Sequence, residues 1–398
     1  SAAGSWLGQG AARRAEQAAQ RGLGLAEPGS AVHRRLLLAR ANAVVDLHEL
    51  PRARSLLGEL VAVADGAGDR PMRAEVHRLQ GEVDRLGGDL VASRRHLAQA
   101  VDEFRALGDE DRLTEAILAR GFAEIFGGSL AEAERFLGDA ERRSRRAGDT
   151  SGAAWALQHR AWVAFVVGDH RAAEELLAEA GALFRQVGDR RGRAWSYGLL
   201  GYVMHFNRRD DEALRLAHTA IEESFRWGDE WGASMMRNLV ASVALWRGEL
   251  AAARESSSRA LSGFRRIDDR FGMLLGLATF SRASIGLGHF ADAERSVEEI
   301  VALAGSFGAL AWAPLAAAGA EMHLGRGARA RELAQHAVER LDLTGASLAE
   351  ATVVVAFGQL LSGDPEAALA TLDGVQPLPF ARAARATASA LVGDAEAA

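Results

Sequence analysis

Apolar residues recur every three or four positions in segments of about seventeen residues, and short Gly- and Asp-rich breaks separate the segments. That spacing lays one apolar stripe along an α-helix of 3.6 residues per turn; a strand would alternate with a period of two. The breaks are themselves periodic. Gly-Asp pairs stand at Gly68-Asp69, Gly108-Asp109, Gly148-Asp149, Gly188-Asp189 and Gly228-Asp229, and Asp268-Asp269 continues the series, always 40 residues on. A second set falls midway, at His48, Gly88, Gly128, Gly168, Arg208, Gly248 and Gly288, again 40 apart. Glycine supplies the positive φ that ends a helix, and the following aspartate caps the next one. Each forty-residue unit therefore reads as two antiparallel helices, a hairpin that repeats along the chain.

Small residues repeat in register with the turns. Five positions after each midway turn stand Ala53, Ser93, Ala133, Ala173, Ala213, Ala253 and Ala293, and twelve after it Ala100, Ala140, Ala180, Ala220 and Ala260, with Leu60 and Ile300 at the two ends. Seven before it stand Ala41, Gly81, Gly121, Ala161, Gly201, Ala241 and Ser281. Small side chains let crossing helices approach closely, so these columns mark the seam within each hairpin and between neighbours.

These columns resemble the tetratricopeptide repeat, whose first helix carries a small residue before a Gly-rich turn and whose second carries two alanines seven residues apart. The resemblance covers nearly the whole chain, with three departures: the repeat is 40 residues long against about 34 in the family, the early Trp is out of register, and the proline that closes the second helix is missing. Forty-residue Ala/Arg-rich arrays of this type are most similar to the helical sensor domains of large bacterial STAND ATPases, including maltose-responsive LuxR-type activators. The resemblance implies an all-α, right-handed superhelical solenoid of stacked antiparallel hairpins, about twenty helices in all. Its ATPase and DNA-binding parts would lie outside this segment.

After Gly288 the turns stand at Gly325, Gly363 and Gly393, steps of 37, 38 and 30, while Ala318, Ala330, Ala337, Ala356, Ala368 and Ala386 keep the columns. The chain thus reads as a single solenoid over 1–398: a partial repeat in 1–28, regular repeats in 29–308, and shortened ones in 309–398, the last truncated. Both ends stop inside a repeat, since Gly8 lies 40 before His48 and Gly393–Ala398 copies Gly363–Ala368, so a piece of a larger protein is expected.

Composition narrows the chemistry. The chain has no cysteine, which excludes disulfides and thiolate chemistry, and all 47 basic residues are arginine, which excludes a Walker or Schiff-base lysine. A net charge of −6 offers nothing to nucleic acid. No apolar run reaches the ~18 residues of a membrane span, and the N-terminus lacks a signal-type apolar stretch, so a cytoplasmic chain with no membrane contact is expected. His48-Glu49-Leu50-Pro51 begins like a zinc-protease motif but lacks the second His. Gly8-Gln9-Gly10, Gly286-Leu287-Gly288 and Gly325-Arg326-Gly327 lie at helix turns, without the strand that a nucleotide fingerprint needs. Arg142, Arg143, Arg145 and Arg146 read as a solvated face. No metal, cofactor or catalytic constellation is expected, and the chain reads as a non-enzymatic binding module.

By the same resemblance the first helix of each hairpin lines a concave groove, at about 13, 10, 6, 3 and 2 residues before the midway turn. The hairpin before Gly88 offers Glu75, Arg78, Glu82 and Arg85, a solvated charged face. The next four offer Phe122, Ile125 and Phe126; Trp155, Gln158, Trp162 and Phe165; Trp195, Tyr202, His205 and Phe206; then Met235, Asn238 and Trp246. Such an aromatic stripe suits a small apolar or aromatic effector or a peptide, with Gln158, His205 and Asn238 to orient it. Packing on neighbouring first helices, as ordinary core, is the other reading of the same pattern. Trp227, Trp231 and Phe225 are assigned to packing around the Gly228 loop. Two functions follow: the effector-sensing and scaffold arm of a multidomain bacterial regulator that contacts its own further domains, or a scaffold gripping a partner helix or extended peptide.

Overall fold

The structure is a computed structural model and describes residues 12–127, 129–304, 312–340, 345–375 and 379–393. Trp6, Gly8, Gly128, Asp394–Ala398 and the side chain of Trp227 lie outside the described residues. The helices in chain order are α1 (Ala12–Leu23), α2 (Ala31–Asp46), α3 (Leu50–Ala67), α4 (Arg70–Gly87), α5 (Leu90–Leu107), α6 (Glu110–Phe126), α7 (Leu130–Ala147), α8 (Thr150–Val166), α9 (His170–Val187) and α10 (Arg190–Phe206). They continue as α11 (Asp210–Trp227), α12 (Glu230–Trp246), α13 (Leu250–Arg266), α14 (Arg270–Gly286), α15 (Phe290–Ala304), α16 (Trp312–His323), α17 (Gly327–Arg340), α18 (Gly345–Leu361), α19 (Pro365–Leu372) and α20 (Pro379–Val392). Among the described residues there is no strand. None of the described helices is long and apolar enough to cross a membrane.

The punctuation works as the pattern demands. Gly68, Gly108, Gly148, Gly188 and Gly228 all take positive φ, between 61° and 72°. The carboxylates of Asp69, Asp89, Asp109, Asp149, Asp169 and Asp189 each accept a hydrogen bond from the backbone N–H three residues on. Such a cap stabilises a helix by about 1 kcal/mol. Consecutive helices pack antiparallel from α1 to α11 and again from α15 to α20, and each even-numbered helix also touches the next even-numbered one from α2 to α10. The first helices therefore form an inner layer and the second helices an outer one. The seam columns are fully buried: Ala53, Ser93, Ala133, Ala173, Ala213, Ala253 and Ala293 have no exposed surface.

Two compact units emerge, one of Ser1–Val243 with Ser258–Met273 and the other of Ala244–Ser257 with Leu274–Ala398. The divisions fall inside α12, α13 and α14. In the first unit the packed interior runs between the inner and outer layers, as in the cluster of Ala161, Ala173, Leu177, Leu199 and Val203. In the second it is built from Ala318, Ala334, Ala337, Ala351, Val354 and Val355, and from Ala356, Ala368, Leu372 and their neighbours.

Backbone contact at the seams makes the glycine column intolerant of side chains. A Cβ at residue 201 would stand 2.7 Å from Leu239 Cδ2, and one at residue 81 would stand 2.5 Å from Leu97 Cγ. Gly201→Leu should destabilise the array by ~1–3 kcal/mol through overpacking of one junction. Hydrogen exchange is then expected to rise mainly in the hairpins around residue 201, because each repeat leans on its neighbours; uniform loss of protection would point to a single globular core.

Candidate functional site

The twelve aromatic and polar positions of the inner face are not gathered into one groove. Phe122, Phe126, Gln158, His205 and Asn238 are buried, Trp155, Trp162, Phe165, Trp195 and Tyr202 are half-buried, and Phe206 and Trp246 are exposed. Trp246 belongs to the second unit. The others separate into a packed inner cluster, an open cleft and a rim.

The inner cluster is ring on ring. Phe122 stacks on His159 at 3.9 Å, Trp155 meets Trp195 edge to face at 5.8 Å, and Trp195 stacks on Trp231 at 4.4 Å. The indole N–H of Trp155 donates to Asp189 Oδ2 and that of Trp195 to Asp229 Oδ2, each at 3.1 Å. Each of these aspartates also caps its own helix, accepting from Gly192 N and Gly232 N. One carboxylate thus fixes both a helix start and the tryptophan one repeat earlier. Arg85 lies over the Phe122 and Phe126 rings at 4.6 and 5.0 Å, and Arg191 over Trp195 at 5.7 Å.

Burial shapes the ionisation of this cluster. It pulls the His159 pKa down to about 3, with Arg85 adding repulsion, so the imidazole is neutral. Burial alone would lower Arg191, but Asp46, Asp229 and Asp189 outweigh it and hold the guanidinium charged. Burial pushes Asp269 up to about 6 despite the Gly272 N–H and the Arg85 charge. The Trp231 N–H lies near Asp269 but outside close hydrogen-bond geometry.

The cleft lies beside this cluster, lined by Trp162, Trp195, Gly198, Tyr202, Trp231 and Met235, with Leu199 and Met236 behind them; it is narrow, with a cavity volume of about 20 Å³, and opens to solvent. Gly198 makes room there: a Cβ would stand 2.9 Å from Met236 Cε. Gln158 and Asn238 occupy the positions equivalent to Gly198 one repeat before and one after. Tyr202 O–H donates to Met235 O at 3.1 Å and accepts from Asn238 Nδ2 at 3.4 Å; burial pushes its pKa up to about 12. The Gln158 Oε1 accepts from His159 Nδ1 at 2.6 Å. Three buried donors, Gln158 Nε2, Trp162 Nε1 and Trp231 Nε1, and one acceptor, Asn238 Oδ1, have no partner among the described residues. The cleft is therefore apolar and lined by no formal charge, with the Asn238 amide behind Tyr202.

The rim carries Phe165, His170 and Phe206 in mutual ring contact, with Tyr202 6.3 Å from Phe165. His205 is buried, its Nδ1 paired with Asp210 Oδ1 at 2.7 Å and its Nε2 3.3 Å from Ser242 Oγ on α12. It anchors the α10–α11 turn.

Two expectations need correction. Glu75 and Arg78 are not a solvated face: both are buried, with Arg78 bonded to Glu75, Glu82 and Asn42, and Arg112 3.2 Å from Glu75. First helices in this part face one another, so their charges pair instead of meeting water. Trp231, read from sequence as loop packing, is buried in the aromatic cluster and walls the cleft. Its register, 17 before Gly248, differs from that of Trp155 and Trp195, 13 before their turns, which hid it. The signal for the tethers was an Asp-x-x-Gly repeat at Asp149, Asp189, Asp229 and Asp269. By contrast the arginine run is solvated, with Arg142, Arg143 and Arg145 paired to surface carboxylates. Among the described residues no three His, Asp or Glu side chains are grouped to hold a metal.

No protein-family model matches the chain, and no curated protein matches it. Solved structures do. A Rap protein complexed with competence and sporulation factor superposes with a TM-score of 0.61 at 14% identity, over 93% of this chain and 97% of that one. The apo form of RapI gives 0.51 at 12% identity, over 69% of this chain and 98% of that one. A STAND signal-transduction ATPase with a tetratricopeptide-repeat sensor, from Pyrococcus horikoshii, gives 0.42 at 13% identity over 82% of this chain and 52% of that one, a match too loose to bear on function. The chain is a tetratricopeptide-like helical repeat array, an all-α solenoid of stacked hairpins.

The buried Asp269 gives a pH signature. Between its unfolded value of 3.8 and its folded value of about 6, the native carboxyl keeps a proton that the unfolded chain releases. Stability should therefore fall as pH rises from 4 to 6 and level off above, a change on the order of 3 kcal/mol. Asp269→Asn keeps an acceptor for Gly272 N and removes the charge. It should melt above the parent protein at pH 8, with the gap closing toward pH 4; a gap independent of pH would show that this carboxyl is not the buried titrating group.

Proposed function

We propose that the chain is a non-enzymatic recognition module that takes a small apolar or aromatic effector, or one segment of a peptide, in the cleft around Gly198. In this reading it serves as the effector-sensing and scaffold arm of a multidomain bacterial signalling or transcription regulator. The observation that carries it is the cleft itself: an uncharged aromatic lining that includes Trp162 and Trp231, whose buried indole N–H groups have no partner among the described residues, with the Asn238 amide behind Tyr202. A buried polar atom without a partner costs about 1–3 kcal/mol, a cost that a ligand presenting carbonyl and N–H groups would relieve. Tyr202 and His159 are held neutral and engaged with the scaffold, which suits binding better than acid–base work. The Rap protein, complexed with competence and sporulation factor, supports the reading through its shared fold.

A second reading, a scaffold gripping a partner helix or extended peptide, is favoured by the rim. Phe206, Val166 and Val167 are exposed there and continue the cleft through Phe165. An extended partner could lie along both.

Trp162→Ala separates recognition from core. The neutral aromatic probe N-phenyl-1-naphthylamine should bind the parent protein saturably and quench tryptophan emission. The variant should lose about 2 kcal/mol of that affinity, as at a binding hot spot. Its thermal stability should drop by much less than the ~3–5 kcal/mol that truncating a core aromatic costs. A large loss of stability with unchanged probe binding would leave an ordinary aromatic core.

A further inference from the structure

Most turn positions in the two glycine columns are filled by glycine at positive φ, but three described ones are not: His48 (φ 56°), Arg208 (φ 63°) and Asp268 (φ 55°). A side chain in the left-handed region strains the backbone, and such strain persists where the side chain is needed. At two of these positions the side chain reaches across the first unit to a distant hairpin. The His48 ring lies 5.6 Å from the Trp231 ring, and Asp268 Oδ2 lies 3.7 Å from Arg54 Nη1. Between these points Asp46 pairs with Arg191, and Phe126 meets Phe271 edge to face at 4.9 Å. The α2–α3 hairpin is thereby joined to α10, to the start of α12 and to the loop before α14, although α4 to α9 separate them in sequence.

We infer that these contacts form a clasp that holds the first unit closed, and that the closed clasp shapes the aromatic cleft. Trp231 links the two. One side of its ring environment is His48, and the other is Trp195, against which it stacks as the cleft wall. Arg191 does the same from the polar side, bonded to Asp46 while lying over Trp195. Opening the clasp frees Trp231 and Arg191 together, so the cleft loses its wall. Because coupling is reciprocal, a ligand that wedges against Trp195 and Trp231 tightens or loosens the clasp in return. Two of these contacts are ion pairs and two are ring pairs, and none of them lies in a small-residue seam. The clasp stands on its own geometry; its coupling to a ligand rests on the function proposed above.

Replacing His48 and Asp268 by glycine tests this cleanly, because glycine is the residue these columns otherwise carry and it relaxes the turn. The chain has no cysteine, so Glu59→Cys and Glu222→Cys, on exposed positions of α3 and α11, give two unique sites for spin labels. Their separation, read by pulsed electron resonance, should move to longer and broader distances in the His48→Gly/Asp268→Gly variant while helicity stays unchanged. Arg54→Ala, at the surface end of the same bridge, should move it in the same direction, which covers a glycine variant that folds poorly. Binding of N-phenyl-1-naphthylamine should weaken about 5-fold or more, the scale of coupling between linked sites. An unchanged distance distribution in both variants overturns the clasp. A longer distance with unchanged probe affinity overturns the coupling to the cleft. Failure of the parent protein to bind the probe removes the proposed ligand site and leaves the clasp to be judged by the distances.

Discussion

Close approach of helix backbones at the small-residue seams is the constraint from which the rest follows. An alanine or glycine at these columns brings neighbouring axes near enough for every hairpin to sit on the last in nearly the same way. Repetition of that contact fixes the rotation per repeat. Where the glycine is absolute, as at residues 81, 121 and 201, a Cβ would collide with a leucine of the adjoining helix at 2.5–2.8 Å. The aromatic positions are then placed by the seam: a first helix can offer an indole to the next only because their backbones are already close.

The same closeness explains why the inner face is not one groove. Tightly stacked first helices leave little width between them, so large side chains at successive repeats meet each other before they meet solvent. Trp155, Trp195 and Trp231 form a continuous series of ring contacts in this way. The cleft survives beside that series, where the column of Gln158 and Asn238 carries no side chain, at Gly198. Charges obey the same geometry: Glu75 and Arg78 are paired because water is excluded there, and Arg85 rests on aromatic faces instead of being hydrated.

The repeat, the caps and the seams were legible in the sequence because each is local. A turn glycine, an aspartate one residue later and an alanine at fixed offset act within one or two hairpins, and all recur with a period of 40. The candidate site was legible only in part. Trp155, Trp162, Trp195 and Tyr202 fall on the expected face, but burial of Gln158 and the outward place of Phe206 depend on how far the array turns over several repeats. No offset along the chain encodes that angle. Trp231 was hidden by its register, and its contact with His48, from a hairpin far earlier in the chain, depends on that same angle. The clue was present as exceptions to the pattern: a histidine and an aspartate standing where glycine is the rule.

Those exceptions bear on cooperativity. In an open solenoid each hairpin is stabilised by its neighbours, and disturbance at one seam fades along the array. A contact between residues 145 apart, as from Asp46 to Arg191, changes this. The chain between them is already ordered by stacking, so the contact does not have to overcome the closure entropy of a flexible loop. Few weak bonds then suffice to hold it. They also report on every seam they span, because a small change in rotation at one repeat accumulates over the intervening repeats before it reaches the contact. An event at the Gly198 cleft, which sits on one of those seams, is thereby converted into a displacement at the clasp larger than the local movement that caused it.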